Sequence, residues 1–329
     1  MMNQKILVTY EPSAGERQIY REVLGDRAQV FFLKDESGSN RTQMLNVVDI
    51  IIALSFSQKE IEPEDIAWLH NVRFIQLIYA GAENIPFGLI PHDIILASNV
   101  GAFAGPIAEH VLALTLALAK KLIPKNKLLQ EGKFDRTGFN QEIRGAVCGI
   151  IGFGGNGREI AATMQALGMQ IYGINRSGKT NVPLDFIGTG VDLRKVLQAS
   201  HVVVVTTPLT RATRDLIGKK ELEWMRKDAI LINVGRGDVI NQKALYDHLK
   251  SHPEFRAGID TWWSEPAESG IFKLEYPFFD LPNIIGSPHC ADHVPGAMLC
   301  AIRRALENVK DFLMGNEIRG TVNREDYLS

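Results

Sequence analysis

The stretch Val147-Cys148-Gly149-Ile150-Ile151-Gly152-Phe153-Gly154-Gly155-Asn156-Gly157 decides the fold. Its first five residues are apolar or small and read as a strand. Gly152 to Gly157 then fit G-x-G-x-x-G, and a helical pattern follows through Leu167. Strand, glycine turn and helix in that order are where a dinucleotide fingerprint belongs. The glycines permit a tight turn and close backbone approach to a pyrophosphate, whose charge suits the helix N-terminus. An ordinary glycine-rich loop has the same composition, so the surrounding chain must carry the rest of the reading.

Outward from this turn, short β-rich runs alternate with helical patterns. Upstream, runs at 6–10, 30–33, 47–54, 74–79 and 94–97 read as strands, with a helix at 14–24. Downstream, strands are expected at 170–174, 201–206, 229–234, 256–259 and 284–287, the second holding Val202-Val203-Val204-Val205. That rhythm implies α/β architecture, with parallel sheet and crossover helices. From Pro106 to Leu122 the pattern is helical and apolar nearly all round, so this helix must be buried on more than one side, between domains or in a subunit interface. Lys120-Lys121 near its end suits the helix dipole. A last helix is expected from Pro295 to Met314.

Composition narrows the function classes. The chain has 329 residues, a length that suggests two domains. It carries 36 Lys and Arg against 38 Asp and Glu, a net charge of −2, so the basic footprint of a nucleic-acid binder is missing. Apolar residues make up 45%, normal for a globular chain and too high for a disordered one. Cys148, Cys290 and Cys300 are odd in number and show no C-x-x-C spacing, which argues against a disulfide framework or a thiolate zinc site. The most apolar run, 111–119, is far shorter than the roughly 20 residues a bilayer requires. The N-terminus shows no leader pattern. A cytoplasmic protein without membrane contact is expected.

Asn175 stands 18 residues after Gly157, where an NAD site usually places Asp or Glu on the ribose hydroxyls. Arg176-Ser177-Gly178-Lys179 follow. No carboxylate is present to repel a 2′-phosphate, while Arg176 can pair with it and Ser177 can donate a hydrogen bond. NADP(H) is therefore favoured over NAD(H).

Three further segments each lie just past a strand: Ile232-Asn233-Val234-Gly235-Arg236-Gly237, Asp260-Thr261-Trp262-Trp263-Ser264-Glu265-Pro266 and Ser287-Pro288-His289-Cys290-Ala291. Open α/β sheets bind ligands at these strand ends. Arg236 between glycines, Glu265 before Pro266 and His289 after Pro288 each have an ordinary loop reading when taken alone. Their arrival in order after consecutive strands is what suggests a site.

The chain resembles the D-isomer-specific 2-hydroxyacid dehydrogenase family, including its glyoxylate and hydroxypyruvate reductases, over nearly its whole length. Besides the segments above, the resemblance includes Tyr79-Ala80-Gly81-Ala82-Glu83-Asn84-Ile85, Ala108-Glu109-His110 and Thr207-Pro208-Leu209-Thr210. It implies two Rossmann-like, doubly wound parallel-sheet domains. Residues 1–101 and 291–329 would form a discontinuous, flavodoxin-like substrate domain, and residues 102–290 the dinucleotide-binding domain, with closure of the cleft excluding water. It implies a catalytic triad of Arg236, Glu265 and His289, and substrate contacts from Ala80, Gly81, Arg236 and His289. The cofactor contacts it implies are Gly152, Phe153, Gly154, Gly155, Asn156, Gly157, Asn175, Arg176, Ser177, Thr206, Thr207, Pro208, Thr213, Val234, Gly235, Arg236, Asp260, His289 and Ala291, with Asp260 facing the nicotinamide amide. A homodimer through the Pro106 to Leu122 region is implied as well, with no appended regulatory domain.

The chemistry of these residues agrees. Arg236 offers a planar fork for a carboxylate. His289 can donate a proton near neutrality, and Glu265 can orient its ring and raise its pKa. The expected reaction is hydride transfer between the nicotinamide and a small 2-keto acid such as glyoxylate or hydroxypyruvate. An NAD-linked phosphoglycerate or D-lactate dehydrogenase stays open, as does a dinucleotide sensor of corepressor type. Formate dehydrogenase chemistry is disfavoured because Glu265 stands where that branch carries Gln.

Two competing sites are weaker. His289 and His293 have H-x-x-x-H spacing but lack the Glu of H-E-x-x-H, and Pro288 and Pro295 bracket them, so no metal is expected. Cys290 beside His289 reads as an inert thiol. Three departures from the family pattern stand out: Val239-Ile240-Asn241-Gln242 for Val-Asp-Glu, Gly155-Asn156 in the glycine turn, and Trp262-Trp263 for Val-Phe. The last raises the question of how large a substrate fits.

Overall fold

The structure is a computed structural model that describes residues 4–35, 38–266 and 270–328. The first three residues, where the leader reading began, lie outside it. The chain divides into two compact units, Met1–Ala102 with Val294–Ser329, and Phe103–His293.

The first unit holds a five-stranded parallel sheet: β1 (Gln4–Val8), β2 (Ala28–Phe32), β3 (Ile50–Ala53), β4 (Phe74–Leu77) and β5 (Ile95–Ala97), in the order β2-β1-β3-β4-β5. This is flavodoxin-like order, and the connections reverse direction beside β1. Its helices include α1 (Ala14–Leu24), α2 (Gly38–Val47) and α3 (Pro63–Ile66). Ser13 starts α1 with a capping box: its hydroxyl accepts from Glu16 N–H while Glu16 reaches back to Ser13 N–H. The run at 47–54 is not one strand. Val47 ends α2, and the Asp49 carboxylate accepts Lys5 N–H at 2.8 Å, so the strand begins only at Ile50.

The second unit opens with α4 (Ala104–Ala119) and α5 (Leu122–Gln130). The expected single helix from Pro106 to Leu122 is therefore two, because Lys121 takes a left-handed φ of 52° that no helix continues through. Seven parallel strands follow: β6 (Val147–Ile151), β7 (Gln170–Ile174), β8 (Phe186–Gly188), β9 (Val202–Val205), β10 (Ile230–Asn233), β11 (Arg256–Ile259) and β12 (Ile284–Gly286). Their order is β12-β11-β10-β9-β6-β7-β8, the doubly wound pattern with its reversal between β6 and β9. Crossovers include α6 (Gly155–Ala166), α7 (Leu193–Ala199), α8 (Lys219–Trp224) and α9 (Gln242–Ser251). The chain then returns to the first unit through α10 (Ala297–Met314).

The four valines of β9 are wholly buried, as a central parallel strand requires. Val203 and Val205 join the core on one face of the sheet, and Val202 and Val204 the core on the other. β8 is short, lies at the sheet edge and had no clear signal in the sequence.

The unit boundaries differ by a few residues from the expected ones. Ala102 stays with the first unit, its N–H donating to Asn99 O at 3.0 Å. Residues 291–293 stay with the second, because Ala291 N–H donates to the Asp260 carboxylate at 3.2 Å. Among the described residues no helix is long and apolar enough to cross a membrane.

Candidate active site

The glycine turn joins β6 to α6. Gly152 has φ 103°, and a Cβ there would lie 2.7 Å from Thr207 N and 2.8 Å from Thr206 C. A Cβ on Gly157 would lie 2.8 Å from Gly152 O. Both positions therefore require glycine. Gly154, by contrast, faces open space, with nothing within 4 Å of a built Cβ. No side chain caps α6, so the first-turn N–H groups of Gly155, Asn156 and Gly157 have no intrahelical acceptor and no capping side chain. The Thr206 and Thr207 hydroxyls, at the end of β9, are buried without a partner. A cradle of backbone N–H groups beside orphaned hydroxyls fits a dinucleotide pyrophosphate. The Phe153 ring is buried against Gly173 and turns away from the cradle's N–H groups into the core.

At the end of β7, Asn175 folds its own turn. Its Oδ1 accepts Gly178 N–H at 2.7 Å, and its Nδ2 donates to Lys179 O at 2.8 Å. The Asn175 side chain thus shapes the turn, and Arg176, Ser177 and Lys179 form its exposed part. Thr213 also works locally: its hydroxyl donates to Pro208 O at 2.6 Å and closes the 208–213 turn beyond β9.

Beyond β10, Asn233 shapes the Arg236 loop. Its Oδ1 accepts Gly235 N–H at 3.1 Å and its Nδ2 donates to Arg236 O at 2.9 Å. Gly235 packs so closely that a Cβ would lie 2.7 Å from Thr207 O. The half-buried Arg236 donates to Gly235 O at 2.8 Å. Asn233 was not singled out from the sequence, although its place at a strand end before Gly-Arg-Gly was the available signal.

Beyond β11 and β12, Glu265 and His289 meet. Glu265 Oε2 lies 2.7 Å from His289 Nδ1, and Glu265 Oε1 accepts Trp262 N–H at 2.8 Å. Burial alone would raise the Glu265 pKa, but the hydrogen bonds from His289 and Trp262 outweigh it and the net shift is downward. The Glu265 hydrogen bond raises the His289 pKa above its ordinary value, against burial and the nearby charge of Arg236. Arg236 acts electrostatically on both partners, which places the three groups in one neighbourhood.

His289 has φ 51°, a left-handed conformation that is uncommon outside glycine. Asp260 holds it there. His289 N–H donates to Asp260 O at 2.8 Å, Cys290 N–H to Asp260 Oδ1 at 3.1 Å and Ala291 N–H to Asp260 Oδ2 at 3.2 Å. Ser287 Oγ donates to Oδ1 at 2.6 Å and itself lies 2.8 Å from His110 Nε2. With both oxygens engaged and the residue 1% exposed, Asp260 shapes the His289 loop. His110, noted only as part of a motif, reaches this network from α4.

The segment 288–296 is an irregular turn, so His289 and His293 do not share a helix. Among the described residues no three His, Cys, Asp or Glu side chains are placed to hold a metal ion. Cys290 is partly buried and burial raises its pKa. Ala80 and Gly81 belong to the first unit, in the loop that follows β4.

Residues 112–291 match the model of the D-isomer specific 2-hydroxyacid dehydrogenase NAD binding domain. The chain belongs to the D-isomer specific 2-hydroxyacid dehydrogenase family. A D-3-phosphoglycerate dehydrogenase of Archaeoglobus fulgidus is 29% identical over 328 residues, 97% of this chain and 59% of that protein. The chain thus spans well under two thirds of that relative's length. A glyoxylate reductase of Aeropyrum pernix is 30% identical over 264 residues, 78% of this chain and 77% of the relative. The fold is shared with a D-isomer specific 2-hydroxyacid dehydrogenase from Xanthobacter autotrophicus Py2, solved with NADPH and MES: TM-score 0.79, 19% identity, covering 99% of this chain and 100% of that one. Family membership accords with Arg236, Glu265 and His289 standing past successive strands.

Proposed function

We propose that this family member is an NADP(H)-preferring dehydrogenase that interconverts small 2-keto acids and D-2-hydroxy acids, with glyoxylate and hydroxypyruvate as its substrate class. The observation that carries this reading is the 2.7 Å contact between His289 Nδ1 and Glu265 Oε2 beside Arg236, in the unit that also holds the glycine turn. Because Nδ1 is engaged by Glu265, the proton available for transfer sits on His289 Nε2. Glu265 fixes the tautomer and stabilises the imidazolium. Arg236 holds the substrate carboxylate through its fork and draws charge toward the keto oxygen. Gly152 to Gly157 receive the pyrophosphate, with Thr206, Thr207, Pro208, Val234 and Gly235 lining the strand ends beside it. The dinucleotide supplies the hydride when bound. The unit Phe103–His293 serves as the dinucleotide-binding domain and the unit built on β1–β5, which carries Ala80 and Gly81, as the substrate domain.

The cofactor preference rests on the Arg176, Ser177 and Lys179 turn, which presents two cations and no carboxylate. Initial rates with NADPH and NADH against a panel of 2-keto acids test both assignments. Roughly tenfold or more higher kcat/KM with NADPH is expected, the equivalent of one retained charge-assisted contact. Equal efficiency with NADH ends the cofactor assignment. Cofactor binding without turnover of any 2-keto acid favours the sensor reading instead.

The family member is also proposed to be a homodimer. Helix α5 has no buried residue, and residues 122–140 display Leu122, Ile123, Leu129, Phe134 and Phe139, the last two 81% and 95% exposed. Apolar side chains in a continuous uncovered segment suit a partner surface. This surface adjoins the Pro106 to Leu122 region expected from sequence, in which Val111, Leu114 and Leu118 are buried within the unit and Leu122 is exposed. Sedimentation equilibrium is expected to give the dimer mass, with Phe139→Asp shifting the population toward monomer; a wild-type monomer at micromolar concentration rejects the proposal.

A further inference from the structure

Trp262-Trp263 is the most conspicuous departure from the family pattern, and the structure gives it a place. Both indoles turn into the second unit. Trp262 is 6% exposed and Trp263 is half-buried.

Trp262 touches both loops of the Glu265–His289 pair. Its backbone N–H donates to Glu265 Oε1 at 2.8 Å, fixing one carboxylate oxygen while the other meets His289. Its indole Nε1–H donates to Ser287 O at 2.8 Å, two residues before His289. Its ring lies against Gly286, where a Cβ would overlap it, and against Phe272 and Phe279 at centroid distances of 5.2 and 5.5 Å. The third loop is tied to the same point. A Cβ on Gly237, next to Arg236, would overlap the Trp262 backbone, and Trp263 Nε1–H donates to Ile240 O at 2.6 Å.

We propose that Trp262 is a positioning residue: by joining the loop after β11 to the loop after β12, it sets the separation at which Glu265 meets His289. Asp260 anchors the His289 backbone to the end of β11, and Trp262 adds the tie that reaches Glu265 itself, 24 residues from His289 in sequence. A valine at this position keeps the backbone hydrogen bond to Glu265 but has no donor for Ser287 O. The indole supplies that donor, and the Gly286 notch and the two phenylalanines hold the ring in place. The left-handed His289 backbone, held by Asp260, is steadied further by the fixed Ser287 two residues before it.

The inference rests on the proposed role of His289 as proton donor, and its test separates the two. Trp262→Phe keeps an aromatic ring and removes the donor. Turnover is expected to fall roughly tenfold, the effect of a small misplacement of an acid group. The substrate KM and cofactor Kd are expected to stay within about twofold, since neither contact is removed. His289 is faced by Glu265, Arg236 and Asp260, of which only the Glu265 contact is loosened. The alkaline fall of kcat/KM is therefore expected at lower pH than in the parent.

An independent readout is the His289 imidazole titration followed by NMR, assigned by its loss in His289→Ala. It is expected to move to lower pH in Trp262→Phe even if the reaction assignment fails. Gly286→Ala presses on the same ring from the opposite side and should reproduce both shifts, which keeps the test available if Trp262→Phe does not fold. An unchanged kcat, pH profile and imidazole titration in a folded variant overturn the proposal.

Discussion

Replacing His289 with Ala is expected to lower turnover of 2-keto acids by about three orders of magnitude, within the range typical for loss of a general acid. Cofactor affinity, read by dinucleotide fluorescence, is expected to stay within about twofold, because the imidazole is not part of the pyrophosphate cradle. The pH dependence follows from the same pair. Glu265 raises the His289 pKa, so the protonated acid persists to higher pH than in an isolated histidine. Reduction is then level at low pH and declines as pH rises through that raised value, while oxidation of the hydroxy acid rises over the same interval. Glu265→Gln removes the anion responsible, so the decline begins at lower pH. Near-normal turnover in His289→Ala would remove His289 from the role.

Arg236→Ala is expected to lower kcat/KM for the keto acid by about 1,000-fold, combining a lost bidentate carboxylate contact with lost polarisation of the ketone. Arg236→Lys restores only a part, since an ammonium is a point charge without the planar fork. Part of the loss in Arg236→Ala is expected to be recovered by added guanidinium. The result that sinks the assignment is a kcat/KM within tenfold of the parent for Arg236→Ala.

Much of this was legible in the chain. The fold class followed from the glycine turn set between a strand and a helix, and from strands such as Val202-Val203-Val204-Val205 whose apolar runs admit only a sheet covered on both faces. The strand-end positions of Arg236, Glu265 and His289 were equally readable, since doubly wound sheets place polar side chains there. The interruption of the long helix at Lys121 was not, because a left-handed residue other than glycine carries no strong composition signal. The short edge strand Phe186–Gly188 was missed for a related reason, as three residues show no periodicity.

The sequence by itself determined the architecture, the dinucleotide turn and the set of candidate groups, because these depend on local pattern and on the order of elements. Tertiary structure alone decided how the groups are used. It turned Asp260 inward to hold a left-handed His289, kept Asn175 within its own turn, brought His110 to Ser287, and made Trp262 the junction of two loops. Each of those outcomes depends on how separate loops meet in space, and residues near in sequence do not encode the distance between residues far apart in it.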